Sequence, residues 1–485
     1  MKIQSFQQFF AKKYFYQFLL FIILFIAVFF RFYNTPSRYG FDFDPTRDIL
    51  VSIYGAQHLQ FPLTGPESGV GPFTFGPWYY YQLIIAEMLL PFDYAPWIYI
   101  GITSVITVFV IYKVGELLEG KRLGLIIALL TALSPAELGP ITGLSNPNLI
   151  PIHAALSIYL FLLLIKKQPS VWLIFLWGIV MGIGINDHYQ MLGLLVLPCI
   201  GFLYKRVSIT KIVAFLVGMF LTFIPLLIVN FSTNFSTIRG IILYFTHVKN
   251  VLYVPNRWLT YLVDFWPGFF SYVIGIPKSF AYILMGFCGI IFADLFKKKK
   301  IQSIYVLLFV AFLLNFIVLR YYSGQRENYY LIYLHPFITI FFGWILWNSF
   351  QNTYARYIGV IFSIGVLFFV FKEDTRRLQS EKFYLQLQDQ TNFLINHFPG
   401  KSFQIYHCGT KEKNKSQAIA FFLYTKHKLD DNGLKIGFKS ADCRSLFDTY
   451  SYLATVDGVV INTLNPKDSE WAIVSPKTVY ENTFK

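Results

Sequence analysis

The run GPWYYYQLIIAEMLLP, Gly76 to Pro91, is apolar enough to be taken for a membrane span, and its reading decides the topology of everything after it. It covers 16 residues, has a proline near each end and carries Glu87, whereas a span needs about 20 predominantly apolar residues. If it crossed the bilayer, Lys113, Lys121 and Arg122 would fall outside and every later basic loop would be inverted. That contradicts the positive-inside bias. The run is therefore read as a helix lying at the interface, with its Tyr-rich start at headgroup level.

The chain around it has a membrane composition. Of 485 residues, 55% are hydrophobic and 14% charged, with 53 phenylalanines and a mean hydropathy of +0.51. Apolar segments recur at about 17–33, 96–114, 122–139, 148–165, 171–186, 189–204, 211–230, 279–296, 303–320, 329–350 and 356–371. Each is roughly long enough for a hydrocarbon core of ~30 Å. The net charge of +15 would suggest nucleic acid in a soluble protein. Here the excess sits in short loops such as Lys12-Lys13, Lys121-Arg122, Lys166-Lys167, Lys205-Arg206 and Lys297 to Lys300, where it sets orientation. No nucleic-acid partner is expected.

The run from Gln17 to Phe30 lacks a small-residue cleavage site and ends in FFRFY, so it reads as a retained anchor with a cytoplasmic N-terminus. The long loops 34–95 and 231–278, and the tail from about 372, then face outward. In that tail an amphipathic helical pattern is followed by SFQIYHC, GLKIGF and WAIVS, which alternate as strands do. The division expected is a membrane domain over 1–371 and a small α/β domain over 372–485. Cys408 and Cys443 would be free to pair if this domain meets an oxidising compartment. No Walker-type loop and no dinucleotide fingerprint occurs, which argues against an energy-coupled pump or a nucleotide-sugar site.

The residues suited to chemistry collect on the outer side. RYGFDFDPTRDILVSIYG, Arg38 to Gly55, places Asp42, Asp44 and Asp48 where the chain first leaves the bilayer. Asp44-Pro45 reads as a helix start, with Asp at the N-cap and Pro at the first helical position, and the helix runs to about His58. Asp44 and Asp48 then share a face, with Arg47 beside them. The loop continues with Glu67 and FTFGPWYYY, where Trp78, Tyr79 and Tyr80 are candidates for stacking on a sugar or acceptor, as is Trp258 further on. A second loop carries GLSNPNLIPIH, with Asn146 capping the next helix and Asn148 beside it. A third, GIGINDHYQML, brings Asn186, Asp187 and His188 to the same membrane face. A fourth, LRYYSGQRENYYLIY, supplies Arg320 and Arg326, cations suited to gripping a phosphate, with Glu327 beside them as a further donor-site candidate.

Residues 15 to 371 resemble the membrane-embedded C-type glycosyltransferases, specifically the glycosyltransferase 39-like group of protein mannosyltransferases and the aminoarabinose transferase of lipid A. The likeness rests on FDFDPTRDILV, GPFTFGPWYYY, SNPNLIP, DHYQMLGLLVLP and RENYYLIYLHPF, in that order. It implies a polytopic α-helical membrane protein with about eleven transmembrane helices plus interfacial helices and an extracytoplasmic C-terminal domain. It implies further a donor sugar on a polyprenyl phosphate and a general base in the first outer loop, which falls on Asp44. Pro45 stands where many members carry Glu, and Phe75 where many carry His or a basic residue. Metal dependence is thus left open, with Asp42, Glu67 and His188 as the candidate ligands.

The mechanism expected is transfer to an acceptor glycan, lipid or protein on the outer face of the inner (plasma) membrane, with inversion. Asp44 acts as base, Asp42 or Asp48 orients it, and Arg320, Arg326, Arg47 and His188 hold phosphate. The alternative is a transporter or flippase of a lipid-linked saccharide, which should show internal symmetry or helices broken at mid-bilayer.

Overall fold

The computed structural model describes residues 2–246, 258–322, 328–409, 413–439, 443, 452–456, 459–463 and 471–484. The chain begins with α1 (Lys2–Phe32) and turns into α2 (Phe43–His58) and α3 (Trp78–Leu89). A first group of membrane helices follows: α4 (Ala95–Glu119), α5 (Lys121–Ala132), α6 (Pro135–Thr142), α7 (Ile150–Lys166), α8 (Val171–Asp187) and α9 (Val196–Lys205). Short 3₁₀ turns at Asn146–Leu149 and Tyr189–Leu195 lead into α7 and α9. The next elements are α10 (Ile209–Leu221), α11 (Ile224–Ser232) and α12 (Ser236–Thr246). After the brief α13 (Trp258–Thr260), a π turn at Tyr261–Phe265 opens α14 (Trp266–Ile274).

The bundle closes with α15 (Lys278–Lys297), α16 (Ser303–Tyr321), α17 (His335–Gln351) and α18 (Ala355–Arg377). Seven helices are long and apolar enough to cross a membrane. Nine segments qualify when α5 with α6, bent by 46°, and α10 with α11, bent by 59°, are each taken as one span. Proline at the first turn of α6 and of α11 marks both bends. The protein is therefore a multi-pass membrane protein. All eleven apolar segments read from the sequence are helical, but Val171–Asp187 and Tyr189–Lys205 are short. By length and composition the described residues give seven to nine crossings, and these two shorter apolar helices make up the remainder of the eleven segments.

Beyond the bundle lie α19 (Lys382–His397), α20 (Lys413–Thr425), α21 (Pro476–Phe484) and a five-stranded sheet. Its strands are β1 (Phe403–Cys408), β2 (Leu434–Lys439), β3 (Tyr452–Val456), β4 (Val459–Thr463) and β5 (Trp471–Val474), in the order β3-β4-β2-β1-β5. β1 pairs in parallel with β2, setting Ile405 against Ile436, and antiparallel with β5. Every residue of β1 is buried, as a strand covered on both faces requires. SFQIYHC, GLKIGF and WAIVS are thus strands, and Cys408 is bonded to Cys443.

This domain shares a core with the first outer segment rather than hanging from a linker. Phe41 lies 5.1 Å from Phe422 and 5.8 Å from Phe421. Tyr39 stacks on Trp97 at 5.1 Å, and Tyr54 meets Tyr480 at 4.9 Å. Buried aromatics at this density contribute through area and edge-to-face contact together. The Glu381 amide also donates to the Ser37 carbonyl at 2.9 Å.

Candidate functional site

The helix carrying the acids starts two residues earlier than expected. Asp42, in extended conformation, is the N-cap, and its side chain makes no capping bond. Asp44 falls inside the first turn, where a carboxylate meets the positive end of the helix dipole. Thr46 ties the turn together by donating to the carbonyls of Asp42 (2.9 Å) and Phe43 (3.1 Å).

Arg47 bridges the two carboxylates of this helix. Its Nη2 is 3.0 Å from Asp44 Oδ1, and its Nε donates to Asp48 Oδ1 at 2.7 Å. The side chains of Asp44, Arg47 and Asp48 are 50%, 11% and 0% exposed, so the ladder runs from an open carboxylate to a closed one. Asp48 also accepts from the hydroxyls of Tyr79 (2.9 Å) and Tyr80 (2.8 Å). Burial raises its pKa above the ordinary carboxylate value, and Arg47 works against that rise. For Arg47 burial pulls the other way, but Asp48, Tyr80 and Asp44 outweigh it and the guanidinium pKa rises well above its usual value.

Asp44 and Arg47 form one wall of a cavity of about 1020 Å³. Glu67 and Ser68 from the following loop, and Ser145 and Asn146 from the second, add polar groups to it. Apolar side chains line it as well, Phe223, Leu226 and Leu227 around α11 and Ile238, Ile241 and Phe245 on α12, together with the polar Asn230 and Thr237 of the same two helices. His188, also in the lining, is stacked on Phe75 at 4.7 Å and on Tyr330 at 5.6 Å. Its Nδ1 accepts from the Gln190 amide at 3.3 Å. Burial pushes its pKa down to about 3, so His188 lines the cavity as a neutral ring and not as a cation.

The loop that carries Phe75 is set against α8. Gly76 donates its amide to the Asn186 carbonyl at 3.0 Å, and a Cβ there would stand 1.7 Å from Asn186 Oδ1. Only glycine permits that approach. Asn186 and Asp187 are fully buried and off the cavity. Asp187 accepts from Gln82 Nε2 at 3.1 Å, while its carbonyl accepts from Asn146 Nδ2 at 2.6 Å. Asn146 thus both faces the cavity and ties two loops; it begins a 3₁₀ turn rather than capping α7.

Several expected site residues lie elsewhere. Asp42 is exposed but off the cavity, and Asp48 stands behind it. Tyr79 and Tyr80 are fully buried because their hydroxyls are spent on Asp48. Trp78 donates to the Thr222 carbonyl at 2.7 Å, and none of these three aromatics reaches the cavity. Asn148 holds its own loop through the carbonyls of Pro140 and Gly143. Arg320 is buried, with its guanidinium 5.2 Å over the Trp258 ring. Arg326 and Glu327 lie outside the described residues. Among the described residues no three of His, Cys, Asp or Glu come together as a metal-ligand set. Asp42, Glu67 and His188 do not converge, because only the last two reach the cavity and His188 is held in its aromatic stack.

The sequence reading missed the C-terminal part of the lining altogether. Lys413 and Gln417 of α20, and Val479, Asn482 and Thr483 of α21, line the same cavity. No motif marks them, and they lie more than 360 residues from Asp44 along the chain.

Comparison with known proteins follows the same lines. Residues 96–230 match the family model of dolichyl-phosphate-mannose-protein mannosyltransferases. The fold is similar to that of ArnT from Cupriavidus metallidurans in the apo state, with a TM-score of 0.59 at 10% identity, over 93% of this chain and 97% of that one. For the same protein bound to undecaprenyl phosphate the TM-score is 0.56 at 12% identity, over 93% and 98%. The oligosaccharyltransferase AglB from Archaeoglobus fulgidus, in complex with an inhibitory peptide and a dolichol-phosphate, gives 0.52 at 12% identity, covering 92% of this chain. The chain spans only 62% of that protein's length. No curated protein matches it by sequence.

Proposed function

We propose that this multi-pass membrane protein, which has the fold of the C-type membrane glycosyltransferases, moves a sugar from a polyprenyl-phosphate carrier to an acceptor on the outer face of the plasma (inner) membrane. The observation that carries the reading is one cavity lined both by charged groups, Asp44, Arg47 and Glu67, and by apolar side chains of α11 and α12. A sugar joined to a prenyl chain through phosphate is amphipathic in the same sense. The relatives of known structure bound to undecaprenyl phosphate and dolichol-phosphate support that donor class.

In this reading Asp44 takes the proton from the acceptor hydroxyl as its oxygen attacks the anomeric carbon. The bond from that carbon to the phosphate oxygen breaks, and polyprenyl phosphate leaves with the electron pair. Attack opposite the leaving group inverts the anomeric centre. Arg47 restricts Asp44 to one orientation and brings positive charge to the cavity wall where the phosphate oxygen becomes more negative. Asp48, with Tyr79 and Tyr80, fixes Arg47 from behind and touches no substrate. His188 contributes a flat neutral face between Phe75 and Tyr330.

Orientation rests on charge. Lys121 opens α5, while Lys166, Lys205 and Lys297 end α7, α9 and α15, each at the helix end away from the cavity loops. The positive-inside rule then puts the cavity outside. A bonded Cys408 and Cys443 suit that side as well.

The test is transfer by purified, lipid-reconstituted protein from a panel of radiolabelled polyprenyl-phosphate sugars. Release of polyprenyl phosphate that depends on a donor supports the reading. Saturable lipid binding without release from any donor would overturn it in favour of a carrier.

A further inference from the structure

Resting on that reading, we propose that the cavity wall contributed by the C-terminal domain is the acceptor subsite, and that it selects a saccharide carrying an anionic group, phosphate or carboxylate. The wall is built, not incidental. Gln417 is 3% exposed, and one end of its side-chain amide is hydrogen-bonded to the Thr46 hydroxyl of α2 at 3.1 Å. The other amide atom has no partner among the described residues and is left to the cavity that Gln417 lines. Burying a residue this completely while one polar atom stays open to a cavity implies a ligand group to meet it.

Lys413 stands one helical turn before Gln417, on the same face of α20, and lines the same cavity. Among the described residues its ammonium group makes no ion pair, whereas Arg47, the other cation of the lining, is bridged to Asp44 and Asp48. Asn482 and Thr483 of α21 extend the wall with an amide and a hydroxyl. Amides and hydroxyls that both donate and accept match sugar hydroxyls. An ammonium on a flexible stem matches an anion by charge rather than by shape.

The two sets of lining residues come from different parts of the chain. The apolar surface suited to a prenyl chain belongs to α11 and α12, whereas Lys413, Gln417 and Asn482 belong to α20 and α21 of the C-terminal domain. Lys413, Gln417 and Asn482 line the same cavity as Asp44. The Thr46 to Gln417 bond joins the subsite to the helix that carries the base, so the C-terminal domain completes the site rather than decorating it.

The experiment is equilibrium binding of glucose 6-phosphate, glucuronic acid and glucose to the full chain in lipid nanodiscs, which requires no donor. Wild type should bind at least one anionic sugar about tenfold more tightly than glucose, a gap of about 1.4 kcal/mol. Lys413→Gln should abolish the gap without weakening glucose, Lys413→Arg should retain it, and Gln417→Ala should weaken all three sugars alike. Preference for glucose 6-phosphate alone assigns the anion as phosphate, and for glucuronic acid alone as carboxylate. Equal binding of charged and neutral sugars by wild type, or an unchanged gap in Lys413→Gln, would overturn the proposal. Donor release in the companion assay reads the glycosyltransferase assignment separately, so the two can fail independently.

Discussion

Arg47 holds Asp44 through Nη2 at 3.0 Å while its own Nε is held by the closed carboxylate of Asp48 at 2.7 Å. An open carboxylate at the cavity is thus positioned by a buried one that never reaches it. Under the proposed function this arrangement separates reactivity from stability along five residues of one helix, and the consequences can be tested one by one.

Asp48 should matter to the fold more than to the chemistry. Asp48→Ala leaves the Arg47 guanidinium and two tyrosine hydroxyls buried without their acceptor, at a cost on the order of 3–5 kcal/mol. A large drop in unfolding temperature in detergent is the expected outcome. Tyr80→Phe removes a single hydrogen bond and should cost about 1 kcal/mol.

Glu87 provides a pH test. It lies on α3 among apolar neighbours, with Oε2 buried and unpartnered, and burial followed by the nearby Asp93 raises its pKa from 4.5 to about 8. A carboxyl raised on folding binds a proton in the folded state that it has lost in the unfolded one. Its contribution is fully present below pH 4.5 and fades as pH rises through about 8. Unfolding temperature should fall between pH 6 and about 9 in wild type, and Glu87→Gln should flatten that slope. Identical slopes would show that another group titrates.

The C-terminal sheet should depend on its disulfide. Cys408 and Cys443 are 35 residues apart, and a loop of that size is worth about 2–4 kcal/mol when closed. Cys443→Ser should lower the unfolding temperature of wild type to the level reached by reduction. In membranes isolated without reductant, alkylation of Cys408 should require prior reduction.

Gly240 tests the apolar half of the cavity. A Cβ at this position of α12 would lie 1.8 Å from the Pro72 carbonyl oxygen. Gly240→Ala should displace α12 from the 65–75 loop at about 1–3 kcal/mol. The expected readout is a KM for the lipid donor raised about fivefold or more, because Thr237, Ile238 and Tyr244 of this helix line the cavity.

Much of the fold was legible in the sequence because lipid imposes a simple code. A run of apolar residues must be helical when no water can satisfy its backbone, so all eleven segments were readable. Their crossings were not, since Pro135 and Pro225 bend two of them and two others are short. The site was legible only in its first turn. Asp44 and Arg47 share a helix, and helical spacing predicts their contact. Nothing local says that Asp48 is closed off by Tyr79 and Tyr80, or that those tyrosines face inward rather than toward a sugar. His188 shows the same limit: a titratable ring next to an acid reads as a cation, yet burial against Phe75 and Tyr330 keeps it neutral. The C-terminal part of the lining is a purely tertiary fact. Gln417 meets Thr46 across 371 positions, and ordinary polar residues on a soluble helix carry no mark of it.

The most direct test of the central claim is single-turnover release of polyprenyl phosphate by Asp44→Asn beside wild type at saturating donor, with donor binding measured on the same samples. Loss of general-base catalysis predicts a rate lower by about 10²-fold or more, with donor affinity within about threefold, because Asn keeps the size of the side chain and can still accept from Arg47. Release by Asp44→Asn at the wild-type rate would contradict the assignment of Asp44 as the base.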